Sequence, residues 1–85
     1  MRVVLFAALR ELAGASSLDL ELAPATVGSL IEHLGRAYGP EFVRIAQLGS
    51  VVVDGDTVGP DRALGPDDEV AILPPVSGGG GGGPR

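Results

Sequence analysis

The sequence predicts an α+β fold in which a mixed sheet of four to five strands packs on one main helix. Three observations lead there. Residues 17–22 alternate strictly, with Leu18, Leu20 and Leu22 on one side and Ser17, Asp19 and Glu21 on the other, as a half-buried strand requires. Val27, Leu30, Ile31, Leu34 and Tyr38 then recur at helical spacing, so one face of that segment has to be covered. Finally, residues 3–7 and 70–73 are nearly continuously apolar, the mark of strands buried on both faces, and such first and last strands can pair in parallel at the centre of a sheet.

Each element has its own reason. Residues 2–7 are rich in strand formers, and residues 8–13 supply good helix formers for one or two turns before Gly14 provides a stop. Two strands with so compact a connection pair antiparallel. Thr26 is placed to cap the main helix, Gly39 and Pro40 end it, and Gly35 within its last turns points to close packing, since glycine otherwise costs roughly 1 kcal/mol there. Residues 41–48 contain Phe42, Val43, Ile45 and Ala46 and predict no more than a weak helical turn. Ser50, Val51, Val52 and Val53 form a β-branched strand, and Asp54-Gly55 before Thr57 and Val58 predicts a tight hairpin with positive φ at both central positions. After a crossover at residues 61–64 and a turn at Pro66, Asp67 and Asp68, residues 69–73 make the last strand. Prolines cannot donate to a ladder, so Pro74 and Pro75 close it.

The 85 residues make one domain, divided here into a folded body with the start of a tail, residues 1–77, and a flexible Gly-rich C-terminal tail, residues 78–85. A core drawn from about 75 residues is modest, and with no cysteine there is no disulfide or thiolate metal site to staple it. Cysteine nucleophiles and cysteine redox chemistry are excluded with it. A net charge of −5, with six arginines and no lysine, argues against a nucleic-acid surface and leaves a basic partner or plain solubility as its meaning. No apolar stretch approaches the ~20 residues of a membrane span, and the apolar start meets Arg10 and Glu11 too soon for a signal peptide. A cytoplasmic protein with no membrane partner is expected.

Three blocks carry a resemblance. They are the opening Val4-Leu5-Phe6-Ala7-Ala8-Leu9-Arg10-Glu11-Leu12-Ala13-Gly14, the central Val53-Asp54-Gly55-Asp56, and the closing run from Pro66 through Val70-Ala71-Ile72-Leu73-Pro74-Pro75-Val76-Ser77 to Gly78-Gly79. In order, over residues 2–79, the chain resembles the small subunits of molybdopterin synthases, which are ubiquitin-like sulfur carriers of the β-grasp fold. The resemblance implies a cycle run by partners. An E1-like adenylyltransferase, using ATP and Mg²⁺, converts the carboxylate of Gly79 into an acyl adenylate, and a sulfur donor, a sulfurtransferase or cysteine desulfurase, converts that into a thiocarboxylate. The large catalytic subunit of the synthase then takes the tail, and sulfur passes to a pyranopterin to build a dithiolene. On this reading the chain binds no cofactor and contributes no acid, base or metal ligand.

The physics of such a role is consistent with the residues. Adenylation gives a carboxylate a leaving group, and docking a folded body holds the resulting sulfur nucleophile at high effective concentration. Glycine lets a backbone enter a slot too narrow for any side chain, so Gly78 would thread while Gly79 reacts. Partner contact is assigned to Phe6, Leu73, Pro74, Pro75, Val76, Ser77 and Gly78, because alternation places Phe6 and Leu73 on the sheet face opposite Leu5 and Ile72. Phe6 has a second reading, as cover for a minor core under Phe42 or the tail. Arg10 either meets an acidic partner or is simply solvated.

The chain departs from the family pattern at its end. Six residues follow Gly79, about 20 Å of extended chain at ~3.3 to 3.6 Å each, and an amide cannot be adenylated. Either a processing protease exposes Gly79, or the extension cancels the activity, or the glycine run is an accident of coding; loss of Pro84 and Arg85 alone would leave the wrong glycine at the end. The bland readings stand beside these. Gly-rich tails are commonly linkers, and no lysine or helix follows to complete a phosphate loop. The single histidine, His33, reads as a surface residue, and Asp54, Asp56, Asp67, Asp68 and Glu69 read as turn chemistry rather than Mg²⁺ ligands. The competing functions are a sulfur carrier for thiamine, a thio-sugar or cysteine, and a ubiquitin-like modifier or binding module without sulfur chemistry.

Overall fold

The computed structural model describes residues 1–21 and 24–75 of the chain. Eight elements follow one another: β1 (Arg2–Leu5), α1 (Ala7–Ala13), β2 (Ser17–Asp19), α2 (Val27–Tyr38), α3 (Pro40–Leu48), β3 (Ser50–Val53), β4 (Asp56–Val58) and β5 (Glu69–Leu73). The strands make one mixed sheet in the order β2-β1-β5-β3-β4. β1 and β5 run parallel, with Arg2 opposite Glu69 and Leu5 opposite Ile72, while β1–β2, β3–β4 and β3–β5 are antiparallel. The two apolar strands at the ends of the chain are therefore neighbours inside the sheet, as their composition predicts.

One face of the sheet carries the core. Val3 and Leu5 of β1, Val51 and Val53 of β3, and Val70 and Ile72 of β5 are buried against Leu9 of α1, Val27, Leu30, Ile31 and Leu34 of α2, and Phe42 and Ala46 of α3. α2 starts where the sequence predicts, with the Ser29 N–H donating to the Thr26 side-chain oxygen at 3.2 Å. α1 ends at Gly14, whose φ of +74° is the left-handed value that favours glycine. At the β3–β4 hairpin Asp54 and Gly55 have φ of +50° and +93°, the two positive angles that the Asp-Gly pair predicts.

Two expectations need correction. Residues 41–48 are not a weak turn but most of α3, a nine-residue helix. Pro40, expected only to stop α2, occupies the first turn of α3, where its fixed φ is suited and its missing N–H costs nothing. α3 is held by burial of Phe42 and Ala46, by the tilted rings of Tyr38 and Phe42 with centroids 5.5 Å apart, and by an Arg44–Glu41 ion pair one turn apart. Gly35 of α2 explains the close approach: a Cβ there would come within 2.2 Å of Val43 Cγ2. The second correction is β2, which covers three residues rather than six. Leu20 still exchanges bonds with Met1, its N–H donating to the Met1 carbonyl at 2.8 Å and its carbonyl accepting from the N-terminal ammonium at 3.0 Å, while the ladder itself runs only from Arg2–Asp19 to Val4–Ser17.

Candidate functional site

The uncovered face of the sheet is built by strand alternation. Arg2 and Val4 of β1, and Phe6 just beyond it, point away from the core, as do Glu69, Ala71 and Leu73 of β5 and Ser50 and Val52 of β3. The registers align these residues in rows across the sheet. Val4, Ala71 and Val52 are successive partners in one row, and Leu73 faces Ser50 in the next, where Phe6 follows Leu5. A shallow depression of about 320 Å³ lies over the first row, lined by Val4, Phe6, Val52, Asp54, Gly55, Glu69 and Ala71.

Phe6 stands at a corner. Its backbone is still extended, φ −125° and ψ 150°, so it continues the alternation of β1, yet its carbonyl already accepts the Leu9 and Arg10 amides of α1. Ala7, at φ +50°, makes the abrupt change of direction. The outcome is an aromatic side chain 41% exposed beside the end of β5, and outside the core in which Phe42 is fully buried. The reading of Phe6 as cover beneath Phe42 is thereby excluded.

Charges form one border of this apolar area. Arg2 approaches Glu69 at 4.0 Å with both side chains exposed, and the Asp54 carboxylate accepts the Glu69 N–H at 3.1 Å while the Asp54 N–H donates to the Glu69 carbonyl. Asp68 accepts the Gly65 N–H at 2.8 Å and lies 3.8 Å from Arg62. These acids thus act within turns and strand ends, and among the described residues no three His, Cys, Asp or Glu side chains gather as a metal site. His33 and Arg10 are exposed.

The other border is the exit of the tail. Leu73 and Pro74 are half-buried and Pro75 is exposed, so the chain leaves the sheet beside Phe6. Val76, Ser77, Gly78 and Gly79 lie outside the described residues. The structure adds one residue that sequence reasoning did not single out: Gly49, between α3 and β3, packs directly on the backbone where β5 passes into the tail, and a Cβ there would lie 1.8 Å from the Leu73 carbonyl oxygen. No local signal marks this glycine, because the atoms that exclude its side chain are far away in the chain.

Among the described residues the arrangement joins an apolar sheet face to a two-proline exit from β5. No helix among the described residues is long and apolar enough to cross a membrane.

Comparison with known proteins matches this architecture. The profile of the ThiS family matches residues 3–79. The molybdopterin synthase sulfur carrier subunit of Dictyostelium discoideum is 33% identical over 81 residues, covering 91% of this chain and 93% of that protein. The crystal structure of SAMP1 from Haloferax volcanii superposes with a TM-score of 0.73 at 30% identity, over 92% of this chain and 97% of that one. The solution structure of small archaeal modifier protein 1 from Methanosarcina acetivorans does so with a TM-score of 0.74 at 29% identity, over 91% and 93%.

Proposed function

Because this chain belongs to the ThiS family and has the β-grasp, ubiquitin-like fold, we propose that it is a sulfur carrier of molybdopterin synthase, bearing a thiocarboxylate on Gly79. The observation that carries this reading is the near full-length match to a molybdopterin synthase sulfur carrier subunit, together with a ThiS-family match that runs through Gly79. The match implies a large catalytic subunit as partner. Phe6, Leu73, Val4, Ala71 and Val52 form the docking face, and residues 74–79 are the part that enters the partner.

The chemistry follows from the tail. A Gly79 carboxylate oxygen attacks the α-phosphorus of ATP on an E1-like adenylyltransferase, with Mg²⁺ neutralising the phosphates and pyrophosphate leaving. The terminal sulfur of the donor's persulfide then displaces AMP to give an acyl disulfide, and a thiol cleaves its S–S bond, forming a disulfide with the donor's cysteine sulfur and leaving the thiocarboxylate on Gly79. The carrier binds no cofactor of its own, and the cycle is assigned to the cytoplasm. Six residues beyond Gly79 have to be removed first, by a protease that cuts within the glycine run.

Intact-mass analysis of the protein from its own cell, with co-purification of its partners, tests the reading. The expected result is a form ending at Gly79, part of it heavier by the exchange of oxygen for sulfur, together with a large synthase subunit. Recovery only of chains ending at Arg85, with no such form, overturns it. The likeness to small archaeal modifier proteins favours a second reading, a ubiquitin-like modifier. Its signature would be Gly79 linked to lysines of other proteins and no large subunit in the purified material.

A further inference from the structure

The φ of Gly49, −93°, lies outside the left-handed range, so a positive φ is not why this residue is glycine, and its N–H, which donates to the Ile45 and Ala46 carbonyls at the end of α3, would do so with a side chain present. The reason is proximity. A Cβ would lie 1.8 Å from the Leu73 oxygen, 2.8 Å from the Pro74 carbonyl carbon and 2.9 Å from the Leu73 carbonyl carbon. All three are backbone atoms, which cannot turn aside as the end of a side chain can. Ser50, the next residue, is paired with Leu73, so the last residue of β5 is fixed on this side both by its ladder partner and by the contact with Gly49. Pro74 and Pro75 then carry the direction onward, because their rings lock φ.

We propose that Gly49 is a positioning residue for the tail. It seats the Leu73–Pro74 backbone so that the chain leaves the docked body at one angle, and this angle decides where Gly79 arrives in the pocket of an activating or acceptor enzyme. The inference rests on the reading of Gly79 as the residue activated. It separates two tasks: the outer face with Phe6 governs how tightly the carrier docks, and Gly49 governs whether the docked terminus is in line to react. An alanine at this position obliges the tail root to retreat from 1.8 Å toward the 3.4 Å at which ordinary contact begins. Misplacement of a reacting group by about 1 Å is enough to lower a rate on the order of 100-fold.

The experiment measures ATP–pyrophosphate exchange by the cell's own activating enzyme with the carrier form ending at Gly79, reading kcat and the KM for carrier. Gly49→Ala is expected to lower kcat at least about tenfold while KM stays within about threefold. Phe6→Ala should do the reverse. A thermal melt shows whether Gly49→Ala remains folded, and a Pro74→Gly, Pro75→Gly variant, which leaves the body and Gly49 intact but removes the stiffness, should also lose kcat at constant KM. The proposal is overturned if Gly49→Ala is folded and keeps its kcat, if its loss lies in KM alone, or if loosening both prolines leaves kcat unchanged; this last comparison decides the matter should Gly49→Ala unfold. If the unaltered form is accepted by no activating enzyme, the sulfur-carrier reading itself fails, and the role of Gly49 with it.

Discussion

Replacing Phe6 by alanine should weaken docking without unfolding the body. A phenylalanine side chain offers about 150–250 Å² for burial, and Phe6 is 41% exposed in the free protein, so a partner covering it removes about 80 Å² more from water. At ~25 cal/mol per Å² that burial stabilises the complex by about 2 kcal/mol, or about 30-fold in Kd. The remainder of the ring already rests on its own chain, so some stability is lost too, but less than the ~3–5 kcal/mol of a fully buried phenylalanine such as Phe42. Titration calorimetry against the large synthase subunit that the proposed function requires, with a denaturant melt of each variant, reads both quantities. Leu12→Ala is the control, since Leu12 is 40% exposed but sits on α1 rather than on the outer sheet face. An unchanged Kd for Phe6→Ala, or an equal loss for Leu12→Ala, refutes the assignment of the docking face.

Two further outcomes follow from the packing and the charges. Gly35→Ala should lower stability in the natural chain, because overpacking against Val43 costs about 1–3 kcal/mol and exceeds the helix gain of ~1 kcal/mol, whereas in a Val43→Ala background the same change should raise stability by roughly 1 kcal/mol; urea melts of the four proteins check the change of sign, and additive effects rule it out. The Arg44 guanidinium, hydrogen-bonded to Glu41 with Nε to Oε1 at 3.2 Å, holds the Glu41 carboxyl below the usual carboxylate range. The contribution of this pair is complete above the unfolded carboxylate pKa and is lost as pH falls through the lowered folded value. An NMR titration should therefore show Glu41 protonating at lower pH in the natural chain than in Arg44→Ala, and coincident midpoints would contradict the pairing.

The parts of the fold that sequence reveals are those whose cause is local. The alternation around Leu18, the helical spacing from Val27 to Leu34, the Thr26 cap and the Asp54-Gly55 turn each record a constraint imposed within a few residues. What sequence understates is imposed from afar. α3 has too few residues to persuade by periodicity, and it is long because Gly35 lets it settle onto α2 and because Phe42 reaches the common core. β2 is shorter than its alternating pattern because a strand lasts only as long as its neighbour, and β1 begins at Arg2. The site divides the same way. Phe6 and Leu73 are readable from strand parity, but which face the helices leave bare, and why position 49 bears no side chain, depend on contacts between distant segments.

The parallel pairing of β1 with β5 has a consequence for how the protein is made. Among the described residues β5 is the last strand in chain order, yet it is the only neighbour shared by β1 and β3. Until residue 73 has been translated, those two strands have open edges, and Val70 and Ile72 are missing from the interior. A product terminated before β5 therefore lacks the strand that joins the two halves of the sheet. It remains unassembled, and competent bodies arise only on chains that already include the strand from which the tail departs.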